Sequence, residues 1–273
     1  MTCKSCSKLF VNPRPSIETL RQFYVESQSD NFWVNGFFEP VAEARREKIF
    51  RPRAQYLVER FGPDQEWTIG DIGAGFGIFI EELRHFWPGG HFVAIEPSKG
   101  QANICRDKGI QVECCLLEEV KGYDNSFDLL VAFELFDHLH SPKDFPGKVH
   151  NLLKQGGLFL MTTLNGQGFD ILMLWDRSKS FLPPLHLNYF NPRSIEILVR
   201  NYGFNIEEIS TPGQLDWDIV EGMILREGVD IGRFWKFLAE SKKVEAKESL
   251  QDWIAKYQFS SHMRVLAKKA SNF

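Results

Sequence analysis

Apolar residues in this chain follow two rhythms: short, nearly continuous runs, and longer stretches with apolar positions three or four apart. Trp67 to Gly77 reads as a short buried strand running into a glycine-punctuated turn. The helix after it carries Ile78, Phe79, Ile80, Leu83 and Phe86 as one apolar stripe. His91 to Glu96 is the next strand, and Pro97-Ser98 starts a helix over 98–108 that stops at Gly109. Ile110 to Cys115 makes a short third strand. Phe127 to Phe133 is almost entirely apolar, as expected of a central parallel strand covered on both faces. A helix over 144–154, ended by Gly156-Gly157, leads to a fifth strand, Leu158 to Thr163. Asn191-Pro192 caps a helix with Ile195, Leu198 and Val199 on one face, stopped by Gly203. Phe204 to Ile209 and Met263 to Ala267 complete seven strands. The alternation predicts an α/β fold, a doubly wound seven-stranded sheet. Residues 215–258 form a helical excursion before the last strand, and the charged stretch Lys242 to Glu248 is a solvated helix face.

Composition narrows the partners. The 273 residues are 43% hydrophobic, enough for a full core, and 24 Phe with 7 Trp point to aromatic packing or an aromatic-lined pocket. A net charge of -4 argues against a dedicated nucleic-acid binder, which usually shows a basic face. No stretch approaches the roughly twenty apolar residues of a membrane span. The N-terminus has no apolar signal core, and the five cysteines read as reduced thiols, so the expected location is cytoplasmic. Nothing in the pattern specifies an oligomeric state.

The chemistry concentrates at the first turn. Gly73, Gly75 and Gly77 let the backbone turn tightly and approach a ligand with no Cβ in the way. Asp71 stands at the strand's C-terminal end, where open α/β sheets bind ligands. Glu96 follows Gly77 by one helix and one strand, so it emerges beside the loop, placed to bond a ribose diol. A dinucleotide fingerprint would put a small residue where this chain has Ile78. The acid ahead of the loop would repel a pyrophosphate but attract an ammonium. S-adenosylmethionine has an ammonium, a sulfonium and a ribose, and no phosphate.

With these residues the chain resembles the class I S-adenosylmethionine-dependent methyltransferases. Asp71 to Gly77 match the first motif of that family, and Glu96 its ribose-binding acid. The resemblance covers 46–210 by motif and 260–269 by topology, the last strand of that family entering antiparallel between the fifth and sixth. It implies a Rossmann-like sheet and methyl transfer to a small-molecule acceptor. It also implies cofactor contacts from Asp71, Gly73, Ala74, Gly75, Gly77, Glu96, Pro97, Leu116, Leu117, Phe133 and Glu134. Relatives often carry an acid after the third strand for the adenine amino group. Here Cys115-Leu116-Leu117 precede Glu118, which leaves the backbone of Leu116 and Leu117, or Glu118 itself, for that contact.

Methyl transfer from a sulfonium is a direct displacement, so alignment is the protein's first task, and a hydroxyl acceptor also needs a base or a metal. Phe133 to Pro142 falls where the family commonly has Glu-x-x-Glu-His. In quinone-biosynthesis O-methyltransferases and small-RNA 2′-O-methyltransferases that motif binds a divalent cation. Glu134, Asp137 and His138 occupy those positions here, the shorter Asp137 speaking against the cation. In many relatives the same residues only hold the loop under the methionine. A general base at His138 or His140 is the third reading. His186 and Tyr189 lie on the lid that follows the fifth strand in relatives, which makes His186 the first choice for a base, unless the two simply cap a turn and pack. The apolar stretch 166–182 is either an acceptor wall or ordinary core.

Residues 1–45 resemble the leader and helix of a methyltransferase subgroup that begins with a small zinc ribbon. Cys3-Lys4-Ser5-Cys6 and Asn12-Pro13-Arg14-Pro15 carry that likeness, with Leu20 to Tyr24 behind them. Two thiols do not complete a four-ligand zinc site, and the upstream pair usual in the subgroup is absent from the sequence. The leader therefore reads as a ribbon remnant or as a chain that starts upstream of Met1. The subgroup's associations imply a sugar, a nucleotide sugar or a secondary metabolite as acceptor. A silent cofactor-binding protein of the same fold is the alternative, and an NAD-type oxidoreductase is opposed by Ile78 and Asp71.

Overall fold

Strands form where the apolar runs predict them. The computed structural model describes residues 1–20 and 38–271. The part of the expected leader helix beyond Leu20 lies outside the described residues. The strands are β1 (Leu9–Phe10), β2 (Thr68–Ile72), β3 (His91–Ile95), β4 (Gln111–Glu113), β5 (Phe127–Phe133), β6 (Leu153–Leu164), β7 (Asn188–Tyr189), β8 (Phe204–Ser210) and β9 (His262–Lys269). Seven of them form one sheet in the order β4-β3-β2-β5-β6-β9-β8. Neighbours from β4 to β6 run parallel, and β9 runs antiparallel between β6 and β8. This is the doubly wound sheet expected.

The chain leaves β2 for β3 and β4 on one side and returns to β5 on the other, so a switch point lies between β2 and β5. Ligands of open α/β sheets bind outside the strand ends at such a point. Register brings the right residues to that edge, since Ile72 pairs with both Ile95 and Ala132. Asp71, Glu96, Phe133 and Glu134 therefore emerge together.

Alternation along β5 feeds two cores. Leu130 and Ala132 join a cluster with Phe136, Phe145, Phe159 and Phe190, while Leu129 and Val131 join Leu57, Phe79, Leu83 and Trp87. The second face is covered by α2 (Arg51–Phe61) and α3 (Ile78–Phe86), and α1 (Phe38–Arg45) leads into α2 through a π turn. α4 (Lys99–Asp107) starts with Ser98, whose hydroxyl accepts the Gln101 N–H.

Two boundaries differ from expectation. α5 (Phe145–Leu152) ends before 154, and β6 starts at once, with Gly156-Gly157 inside it rather than ahead of it. The cause is β5, whose Phe127 pairs with Leu153 before the register shifts, while Lys154 reaches the Asp128 carboxylate at 2.7 Å. The third strand shrinks to three residues, Gln111–Glu113.

After β6 comes α6 (Phe169–Leu174), then β7 and α7 (Pro192–Arg200). Between β8 and β9 stand α8 (Asp216–Glu227), α9 (Arg233–Glu240) and α10 (Val244–Lys256). These helices share a small core of their own with α6, built from Phe169, Trp217, Val220, Leu238 and Ile254. Phe169, Ile171 and Leu174 are thus core, whereas Leu172, Trp175 and Leu182 are exposed. β1 pairs antiparallel with β7, so the leader lies against the lid. Among the described residues no helix is long and apolar enough to cross a membrane.

Candidate active site

The glycine loop closes on itself. Gly73, Gly75 and Gly77 all have positive φ, at 75°, 57° and 71°, a region that other residues enter at a cost. The Gly73 N–H donates to the Ile95 carbonyl at 2.8 Å and the Gly77 N–H to Ala74 at 2.9 Å. Glu96 accepts the Gly75 N–H and the Ser98 N–H, both at 2.8 Å, so it shapes the loop it stands beside. A side chain at Gly77 would run into Ile110 and Cys105.

Asp71 is buried, and among the described residues no donor hydrogen-bonds its carboxylate. Burial pushes that carboxyl up to about 7, the charge of Glu96 adds to the push, and Arg53 opposes it. A buried carboxylate in this position fits a cationic ligand group. Arg53, on α2, was not visible as a site residue in the sequence. Its guanidinium donates to Glu134 at 2.5 Å and lies 4.6 Å from the centre of the Phe133 ring.

Glu134 has positive φ (50°) and accepts from Thr162 Oγ1 at 2.8 Å, with His262 Nδ1 3.4 Å away. Burial works against its charge, but His262, Arg53 and the Thr162 hydroxyl outweigh it and hold the carboxyl below its ordinary value. Glu134 is therefore engaged by Arg53, Thr162 and His262. Thr162 and His262 gave no sequence signal, because only the β6–β9 pairing brings them here.

A second cluster forms opposite. Asp137, His138 and His186 have ligand atoms within 4.8 Å of one another, though His138 follows β5 and His186 precedes β7. His138 Nδ1 lies 2.9 Å from the Leu185 carbonyl, and His186 Nδ1 lies 2.8 Å from the Ser180 carbonyl. A carbonyl can only accept, so both rings carry a proton on Nδ1. Each Nε2 then faces the same atom, Asp137 Oδ2, at 3.5 Å and 3.4 Å. Asp137 is 2% exposed. Burial raises its carboxyl above the usual range, the two imidazoles pull it back, and Glu134 adds to the rise. Two ring nitrogens converging on one buried carboxylate make a centre that can accept a proton or hold a cation.

Three of the sequence candidates have contacts elsewhere in the fold. Tyr189 is buried, stacks edge-on against Phe181 at 4.9 Å and donates its hydroxyl to the His186 carbonyl, so it packs behind the centre rather than facing an acceptor. Burial pushes its phenol up to about 12. The Leu116 N–H is taken by Glu119 Oε2 at 3.1 Å, and Leu117 is buried. His140 contributes its carbonyl to Arg14. The Pro97 carbonyl lies 4.0 Å from Cys114 Sγ.

Residues 42–209, 168 of the 273, match the family model described as methyltransferase domain. The chain belongs to that family. The chain is 28% identical over 168 residues to the sarcosine/dimethylglycine N-methyltransferase of Halorhodospira halochloris, covering 54% of this chain and 58% of that protein. It is 23% identical over 204 residues to the ubiquinone biosynthesis O-methyltransferase of Xylella fastidiosa (strain 9a5c), covering 68% and 81%. Among solved structures it is similar to Haemonchus contortus phospholethanolamine N-methyltransferase 2, in complex with phosphomonomethylethanolamine and S-adenosylhomocysteine, with TM-score 0.57 and 18% identity over 80% of this chain and 52% of that one. It is also similar to geranyl diphosphate C-methyltransferase from Streptomyces coelicolor A3(2), in complex with Mg2+, geranyl diphosphate and S-adenosyl-L-homocysteine, with TM-score 0.53 and 16% identity over 80% and 77%. The chain spans less than two thirds of the Halorhodospira protein's length. These relatives are named for nitrogen, oxygen and carbon acceptors alike, so the acceptor has to be argued from this chain's own residues.

Proposed function

We propose that this methyltransferase moves a methyl group from S-adenosylmethionine to a hydroxyl oxygen of a small-molecule acceptor. The observation that carries the reading is the convergence of His138 Nε2 and His186 Nε2 on Asp137 Oδ2. Amine acceptors are nucleophilic once deprotonated, whereas a hydroxyl must lose its proton as it reacts.

The cofactor reading rests on the donorless Asp71 and the glycine cradle beside Glu96. Asp71 would hold the ammonium, the loop backbone would lie against the ligand, and the Glu96 carboxylate would accept from the ribose hydroxyls. Phe133 and Phe79, edge to face at 4.8 Å, wall the site on the β5 side. When bound, the sulfonium supplies the methyl group, which passes to the acceptor oxygen while the S–CH3 electron pair stays on sulfur. His186 Nε2 takes the hydroxyl proton, and Asp137 holds the imidazolium that results. His138 lies 4.9 Å from His186, ring to ring, and shares that charge.

A divalent cation is the second reading, because both Nδ1 protons are anchored on carbonyls, as metal-bound histidines commonly are. Asp137, His138 and His186 would hold it. When bound, it would supply a Lewis acid that lowers the hydroxyl's pKa. Sugars, nucleotide sugars and phenols are the acceptors to test first.

The experiment is transfer of labelled methyl from S-adenosylmethionine to that panel, with and without a chelator and in His186→Ala. Transfer to oxygen, lost in the variant, supports the reading, and loss with chelator selects the cation. Transfer to nitrogen or carbon only, or an unchanged variant, overturns it. Binding of S-adenosylhomocysteine with no transfer to any acceptor favours the silent cofactor-binding protein.

A further inference from the structure

The family match begins at residue 42, yet the acceptor centre is braced by residues far upstream of it. Asn188, fully buried, is the node. Its side-chain N–H groups donate to the Leu139 carbonyl at 2.6 Å and the Phe136 carbonyl at 3.3 Å, and its backbone N–H donates to Asp137 at 3.1 Å. Its Oδ1 accepts from Lys8 Nζ and from Arg14 Nη2, each at 2.9 Å. Arg14 also donates to the His140 carbonyl, so one guanidinium grips both the turn after β5 and the strand after His186. The Val11 N–H meets the Leu187 carbonyl at 3.0 Å, and the Leu187 N–H meets the Asp137 carbonyl at 2.7 Å.

We propose that Arg14 and Lys8, acting through Asn188, are positioning residues of the acceptor centre: they hold the turn bearing Asp137 and His138 against the strand bearing His186. This rests on the reading that the centre acts on the acceptor. Two cations sharing one amide oxygen is a costly arrangement for packing alone. Among the described residues neither has a carboxylate partner within ion-pair distance. Burial and the neighbouring Arg14 charge bring the Lys8 ammonium down to about 8, and the Phe190 ring lies 4.0 Å from it. A bidentate guanidinium fixes two backbone segments at a set spacing, which a lysine cannot reproduce. Misplacing a base by about 1 Å costs on the order of 100-fold in rate, so such a brace is worth its desolvation.

The test reads the imidazole tautomers by long-range 1H–15N spectra of histidine-labelled protein, with S-adenosylhomocysteine affinity measured in parallel by calorimetry. In the unaltered protein His138 and His186 should carry their protons on Nδ1, the less common form of a free imidazole. Arg14→Met should return at least one ring to the Nε2–H form while the affinity stays within about twofold, since the cofactor loop lies on other strands. Superimposable spectra would overturn the proposal. If Arg14→Met does not fold, Lys8→Met is read by the same two outcomes. Nε2–H rings in the unaltered protein would instead remove the reading of the centre itself, which separates the two failures.

Discussion

The two halves of the site are made of different material. The half we assign to the cofactor is chiefly backbone, a glycine loop between β2 and α3 flanked by two carboxylates, all within Asp71 to Glu96. The acceptor half is side chains drawn from residues 8–14, 134–140, 180–188 and 262. A backbone cradle tolerates little, because a Cβ in it meets backbone conformation and core at once. A side-chain centre tolerates more, because each member is replaceable at the cost of its own contact. One half is thus suited to a constant ligand and the other to a ligand that varies.

Breaking the first half should cost most. Gly77→Val puts a branched side chain at φ 71° against Ile110 and Cys105, and calorimetry should find no S-adenosylhomocysteine binding. Arg53 joins the halves, since it pairs with Glu134 and faces Asp71. Arg53→Met removes the guanidinium from the half-exposed Glu134, which keeps His262, and should cost about 1 kcal/mol in urea unfolding. His186→Ala addresses the second half alone, with turnover expected to fall about 100-fold at unchanged cofactor affinity. A parallel loss of affinity would merge the halves.

The smallest effect concerns protons. The Asp71 carboxyl stands near 7 in the folded chain and near 3.9 in the unfolded one, so the folded state holds an extra proton between those values. Its favourable contribution to stability is complete below about pH 4 and gone once pH rises through 7. A ligand ammonium prefers the ionised form, so binding should tighten about tenfold from pH 6 to pH 8 and expel a proton at the lower pH. Calorimetry in buffers of different ionisation enthalpy measures that proton, and Asp71→Asn should flatten the profile.

The same division explains what could be read from the chain alone. The sheet and the cofactor loop were legible because their signals are local: Asp71 to Gly77 lie on consecutive positions, and Glu96 is one helix and one strand away. His138 and His186 could be named singly as candidates, but not as a pair, since their meeting depends on the Leu187 and Asn188 N–H groups reaching the Asp137 carbonyl. Tyr189 stood beside His186 as a possible substrate contact, because alternation along a short strand does not say which residue faces the core. Arg53 sits in a helix of ordinary polar pattern, and Arg14 in an Asn-Pro-Arg-Pro turn that pointed to a ribbon rather than to an active site. Glu134 was read as a cofactor contact and only a weak cation candidate beside Asp137, and its pairing with Arg53 was invisible to the motif.

The antiparallel β9 also sets an order of assembly. β8 hydrogen-bonds to no strand of the sheet except β9, and β6 shows an open edge until β9 arrives. On the ribosome, β2 to β5 and the glycine loop can close while that side of the sheet still waits for residues 262–269. His262, which completes the surroundings of Glu134, enters with that late strand. A nascent or truncated chain would then form its glycine loop before His262 reaches Glu134, and would carry an unpaired apolar edge prone to aggregation.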